Sequence, residues 1–221
     1  MRHTWIVVVL ALASHAAVAG NRCRSSTEMG YERCGRGVPS VWLELGATAM
    51  RYTPDRIDQN AAQYHFATTD TAALSATGWR FRGTVDVQDD WYTGLEFDYA
   101  QFGGPGLTAN WIDRGTVMTM SVATRGDIVQ AKLPLGKRAV AGRLAFGAEL
   151  APGLQVATFT TTDIPNYVEP WIQSWFVLEA HAKLDAWLTS RTTLGLEASA
   201  DLLHSGHIQA ALLFGFHLAP R

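Results

Sequence analysis

The sequence predicts an all-β chain, an antiparallel up-and-down transmembrane β-barrel of eight strands, with ten as the alternative count. Three observations carry that prediction. Over residues 172 to 218 one register of alternating side chains holds no charge: Phe176, Leu178, Ala180, Ala182, Leu184, Ala186 and Leu188, then Thr192 through Leu202, then Ile208 through Leu218. The other register holds Glu179, His181, Lys183, Asp185, Arg191, Glu197, Asp201, Gln209 and His217, and a period of two is the signature of strands. The connections between strand-like segments alternate between long and short until the last, which suits a barrel that crosses a bilayer with both ends on one side. Finally, Trp79, Trp91, Trp171, Trp175 and Trp187 fall at predicted strand ends, where the aromatic girdles of a membrane barrel belong.

At the amino end, Arg2 and His3 precede an apolar run from Trp5 to Ala13, and Ala17-Val18-Ala19 offers small residues for a signal peptidase. Residues 1–19 therefore read as a secretory signal peptide cleaved before Gly20. The apolar run is too short for a spanning helix, which needs about 20 residues. Residues 20–40 read as an exported segment in the periplasm. It contains the only two cysteines, Cys23 and Cys34, which an oxidising compartment allows to join. Such a bridge closes a small loop and is worth roughly 2–3 kcal/mol in the chain-entropy account.

The barrel domain is expected over residues 41–218. Its first strand is 41–52, where Val41, Leu43, Leu45, Ala47 and Ala49 alternate with Trp42, Glu44, Thr48 and Met50. The polar stretch 53–71, with Pro54-Asp55 and Asp58-Gln59-Asn60, reads as a long loop. A hairpin follows: Trp79, Phe81, Val85 and Val87 oppose Arg80, Arg82, Thr84 and Asp86, and Trp91, Leu95, Phe97 and Tyr99 oppose Tyr92, Gly94, Glu96 and Asp98. Gly103-Gly104-Pro105-Gly106 is expected to end that strand and open a loop over 103–114. Residues 115 to 135 are strand-like again, with a turn expected at Gly136-Lys137-Arg138. Leu144, Phe146, Ala148 and Leu150 begin the next strand, and 151–171 reads as a long connection or an extension of it. If Arg125-Gly126-Asp127 and Pro152-Gly153 are turns, the count becomes ten.

The charged register is expected to line the lumen: Glu44, Arg80, Arg82, Asp86, Glu96, Asp98, Lys132, Arg143, Glu149, Glu179, His181, Lys183, Asp185, Arg191, Glu197 and Asp201. Both signs occur along the chain, so charges can pair across a narrow axis, whereas an arginine or lysine facing lipid at the midplane costs about 2–4 kcal/mol. A soluble, secreted lipocalin-like β-protein has the same period with the opposite sense, its apolar face inward. With 18 basic and 20 acidic residues and a net charge of −2, the chain gives no sign of a nucleic-acid partner. No phosphate-binding glycine loop, zinc His-Glu-x-x-His or Gly-x-Ser-x-Gly elbow occurs, and nothing implies a cofactor or a metal.

On these residues the chain resembles the small outer-membrane β-barrels of Gram-negative bacteria, the OmpA, OmpX and OmpW type. Leu212, Phe214, Phe216 and Leu218 look like the closing strand that the barrel-assembly machinery reads in that group. The resemblance implies an integral place in the outer membrane, among its lipid and lipopolysaccharide. An eight-stranded interior is just wide enough for side chains, which favours a closed lumen, a monomer, and a structural or surface-interaction role through loops 53–71, 103–114 and 151–171. Two other functions stand beside it. One is a narrow channel for small solutes. The other is a lipid A-modifying enzyme, a deacylase or acyltransferase, for which His204-Ser205-Gly206-His207 offers a nucleophile and a base.

Overall fold

A computed structural model describes the backbone of residues 24–26, 31–33, 41–52, 58–61, 64–70, 74–88, 91–113, 116–141, 143–161, 171–189, 191–204 and 206–218. Side chains are described within 41–52, 74–87, 91–103, 125–141, 143–158, 172–189, 191–204 and 206–218, and at Thr116. The signal segment, Cys23 and Cys34, and the side chain of Trp171 lie outside the described residues.

Eight barrel strands run in chain order: β1 Val41–Tyr52, β2 Leu74–Gln88, β3 Trp91–Asp113, β4 Thr116–Lys132 continued by Leu135–Ala141, β5 Leu144–Thr161, β6 Trp171–Trp187, β7 Thr192–Asp201 and β8 Ile208–Leu218. Each pairs antiparallel with the next. β8 returns to β1, from Ile208 opposite Arg51 to Leu218 opposite Val41, and closes the barrel. Two short hairpins lie outside the eight strands, the first a separate two-stranded sheet and the second joined to the barrel sheet. Arg24–Ser26 pairs with Tyr31–Arg33, and Asp58–Ala61 pairs with Tyr64–Asp70, whose second arm continues onto β3. The count is eight, and the ten-strand alternative falls because Arg125-Gly126-Asp127 and Pro152-Gly153 are paired inside β4 and β5.

Closure leaves no sheet edge in the barrel wall. It also sorts the two registers. Leu45, Phe81, Phe97, Phe146, Leu196, Leu212 and Phe214 are exposed on the outer wall, while Glu44, Arg82, Glu96, Glu149 and Glu197 are buried inside. This is the reverse of a lipocalin, whose apolar register is the interior, so the soluble-carrier alternative is overturned.

The central strands are longer than the sequence suggests. β3 passes through Gly103-Gly104-Pro105-Gly106 because the register with β4 shifts between Gly104 and Leu107. A bulge of this kind accommodates Pro105, which has no N–H to give to the ladder. The expected loop 103–114 is therefore mostly a two-stranded ribbon standing above the barrel. Within the expected loop 53–71, residues 58–61 and 64–70 are strands, and β5 extends the expected 151–171 connection inward to Thr161. Pro134 and Pro152 share one interruption: β4 breaks at residues 133–134 while β5 carries Pro152, whose carbonyl accepts the Leu133 N–H at 2.9 Å.

The turn expected at Gly136-Lys137-Arg138 is instead strand. Gly136 is small because the lumen is crowded there: a Cβ on it would stand 2.6 Å from both the Glu149 Cβ and the Tyr92 ring. Gly46 meets a similar limit, since a Cβ there would strike the backbone carbonyl of Leu212 on β8. Gly46→Val is accordingly expected to destabilise the β1–β8 closure by about 1–3 kcal/mol, read as a lower urea midpoint for the folded, detergent-bound protein.

Short links join β2 to β3, β4 to β5 and β6 to β7, at the barrel end that also carries Val41 and Leu218. The opposite end carries the links after β1, β5 and β7 and the β3–β4 ribbon. These are called the short-turn end and the loop end.

Candidate functional site

The lumen is filled in three levels. At the short-turn end, the Arg138 guanidinium lies 3.4 Å from the centre of the Trp42 ring and 4.3 Å from that of Tyr92, and donates to Asp86 at 3.1 Å. Trp187 meets Trp42 edge to face at 5.4 Å. His217 pairs through Nε2 with the Thr193 hydroxyl at 3.0 Å. Cation–π contacts strengthen when desolvated, and Trp42, Tyr92 and Arg138 are all buried.

The middle level is an ionic lattice. Register alone places Glu44, Arg82, Glu96 and Lys132 side by side on β1 to β4, an alternation of sign across neighbouring strands that stabilises a sheet. Arg82 lies 3.5 Å from Glu96 and 3.7 Å from Glu44 on its two neighbouring strands, and across the axis it reaches Glu197 at 2.6 Å and bonds Glu149. Arg80 forks onto Asp98 at 2.6 and 3.0 Å and also bonds Glu197. The Lys132 ammonium meets Glu96, Asp98 and Glu179 within 2.8 Å. Lys183 bonds Glu44 and lies 3.2 Å from Asp185. His181 contacts Glu197 at 2.8 Å and Glu149 and Glu179 at 3.1 Å each. Buried carboxylates are tolerable here because each has a cationic or N–H partner.

Toward the loop end the lining turns neutral. Gln130 bonds Gln155 and donates to Glu179 at 3.1 Å, and Gln209 donates to the Thr48 hydroxyl at 2.9 Å. Tyr52 and Trp175 stack with ring centres 5.6 Å apart. At the rim, Asp201 accepts from His204 Nδ1 at 2.7 Å.

Several expected placements are corrected. Arg143 and Arg191 are exposed in turns rather than in the lumen, because alternation assigns a face only while the backbone is extended. Trp175 and Trp187 do not belong to an outer girdle. They share the inward register of Glu179 and Asp185, and Trp187 is buried against Trp42. Trp79 and Trp91 do face outward, but Trp79 lies well inside β2, which begins at Leu74. Asp86 sits half-buried at the short-turn mouth rather than in the central lattice. Arg138 was missed as a lumen residue, although carrying the alternation of Gln130 and Lys132 past Pro134 reaches Gly136 and Arg138. Arg125-Gly126-Asp127 is strand, and Asp127 accepts from the Tyr99 hydroxyl at 2.8 Å.

No protein-family model matches the sequence, and no curated protein matches it. Solved structures do. The outer membrane protein OprG from Pseudomonas aeruginosa aligns over 82% of this chain and 97% of its own, with 12% identity and a TM-score of 0.51. Ail, the attachment invasion locus protein of Yersinia pestis, in complex with the heparin analogue sucrose octasulfate, covers 81% and 99% at 11% identity, with a TM-score of 0.48. Neisserial surface protein A covers 80% and 96% at 8% identity, with a TM-score of 0.45. At these identities the likeness speaks for architecture, and OprG carries it. With its closed eight-strand sheet and outward apolar wall, the chain has the fold of the small outer-membrane β-barrels of Gram-negative bacteria.

Proposed function

We propose that this protein is an integral, monomeric outer-membrane barrel whose lumen is shut, and that it works without catalysis, through its loop end or as a structural part of the envelope. One observation carries the closed lumen: the Arg82 side chain on β2 touches carboxylates on β1, β3, β5 and β7. A side chain that reaches alternate strands around the ring supports a lumen plugged by its own residues, and the Trp42–Arg138–Tyr92 stack in the level below supports it further.

The membrane reading is supported by the outer wall, a continuous apolar band that water would disfavour by about 25 cal/mol per Å2. The short-turn end, with both barrel termini, is then periplasmic and the loop end extracellular. The outward Leu212, Phe214, Phe216 and Leu218 suit delivery by the barrel-assembly machinery. The extracellular partner would meet the ribbon of β3 and β4 and the hairpin 58–70, which extend above the barrel. For lipid A chemistry, His204 turns to Asp201, as a base held by a carboxylate would, while Ser205 lies outside the described residues.

Three measurements test the reading. Samples of the membrane-extracted protein run in SDS with and without boiling are expected to differ in mobility, as a closed barrel stays folded until heated. Reconstituted in a planar bilayer, the protein is expected to show no conductance steps. Steps that change when Arg80, Arg82 or Glu96 is neutralised would establish the narrow channel instead, and altered lipid A mass spectra in cells carrying the protein would establish the enzyme.

A further inference from the structure

We propose that Asp201, His204 and His207 form a binding site for one divalent transition metal at the loop end of the barrel. The three residues come from the end of β7 and the link to β8. One donor atom from each lies within 4.8 Å of the others. Two imidazoles and a carboxylate are the ligand set that zinc, and other first-row divalent ions, take with open positions for water or an exogenous ligand.

The carboxylate is already held in the manner of a ligand. Its Oδ1 accepts the backbone N–H groups of Leu178 at 3.2 Å and Leu203 at 3.0 Å, which fixes the group and leaves Oδ2 facing the loop. Both histidines turn the same nitrogen toward that oxygen, His204 Nδ1 at 2.7 Å and His207 Nδ1 at 3.8 Å. Their rings stack 5.6 Å apart with planes 20° apart. Gly206, at φ 92°, supplies the left-handed residue that folds His207 back beside His204.

Donors around tetrahedral zinc stand roughly 3.4 Å apart when bonds are about 2.1 Å. The Asp201–His204 contact therefore opens slightly and His207 closes in, a rearrangement a short link absorbs. The surroundings favour a cation. Tyr52 packs on His207 at 4.7 Å, and Trp175 lies 6.2 Å from His204, so the imidazoles are backed by rings. Asp201 is buried while His204 and His207 retain 27% and 12% side-chain exposure, so an ion has access from outside. The other histidine cluster, Glu96, Glu149, His181 and Glu197, is a poorer candidate because Arg80, Arg82 and Lys132 already occupy its carboxylates.

The test is calorimetric titration of zinc chloride into untagged, folded barrel in detergent, with His217→Ala, at the opposite end of the lumen beside Thr193, as the off-site control. One zinc per chain is expected, with affinity at least tenfold weaker in Asp201→Asn, His204→Ala and His207→Ala and unchanged in His217→Ala. Boiled and unboiled SDS lanes for each variant establish that it is folded. In the unaltered protein, zinc is expected to protect His204 and His207 from diethyl pyrocarbonate. No saturable binding, or binding that the three substitutions leave intact, overturns the site. Because the SDS comparison reads the barrel independently, failure of the metal site leaves the proposed membrane role standing or falling on its own measurement.

Discussion

Arg82→Ala is expected to be among the most damaging single substitutions in the barrel, costing about 3–5 kcal/mol. The guanidinium is fully buried and shared among Glu44, Glu96, Glu149 and Glu197. Removing it leaves these carboxylates to Arg80, Lys132, Lys183 and His181, which are already engaged with them and with Asp98, Glu179 and Asp185. Uncompensated buried charge, rather than the lost contact, is the source of the cost. Arg82→Lys should recover only part of it, because an ammonium cannot present the planar fork that spans several acceptors. Adding Glu197→Gln to Arg82→Ala should restore stability relative to the single variant, since it removes one of the stranded charges. Urea unfolding in detergent micelles measures all three, and an Arg82→Ala midpoint equal to that of the unaltered protein would contradict the lattice.

Leu212→Arg is expected to cost about 2–4 kcal/mol in a bilayer, while Leu218→Arg should cost no more than about 1. Leu212 lies midway along β8, outward, between Leu196 of β7 and Ala47 of β1. Leu218 is the last residue of the same strand, where an arginine can reach the headgroups. The contrast decides the environment of the outer wall. On a water-exposed wall both changes would be neutral within about 0.5 kcal/mol, and the depth dependence would vanish. Equilibrium folding into lipid vesicles gives the two values directly.

How much was legible followed from how regular the alternation was. β1 and β6 to β8 could be bounded almost to the residue because no proline and no run of glycines interrupts them. Alternation alone starts β2 too late, because Leu74–Gly78 carries no charge to mark its inward face. In the middle strands alternation misleads wherever a chain-breaking residue occurs: Gly103–Gly106 is a bulge, Pro134 and Pro152 share one gap, and Gly136 makes room for Tyr92. In each case a closed barrel accommodates locally what an isolated segment would turn at. The inward turn of Trp175 and Trp187 has a different reason. Their position along the strand suggested a girdle, whereas their register set the face, and register sends Trp175 and Trp187 inward with Glu179 and Asp185.

The sequence by itself determined an all-β chain with one charged and one apolar register, whereas the inward sense of the charged register and the count of eight were decided by the closed structure. A period of two with charge confined to one register has few solutions, and for strands of this length the closed barrel satisfies every wall backbone group without an edge. The tertiary structure alone decided which charges meet. Arg82 and Glu197 are separated by 115 positions in the chain, and only the stagger of eight closed strands brings them to one level of the lumen. It also decided that Asp201, His204 and His207 converge beside Tyr52 and Trp175. Side-chain period is local, but distance across a barrel depends on register summed around the whole ring, and no single segment encodes that.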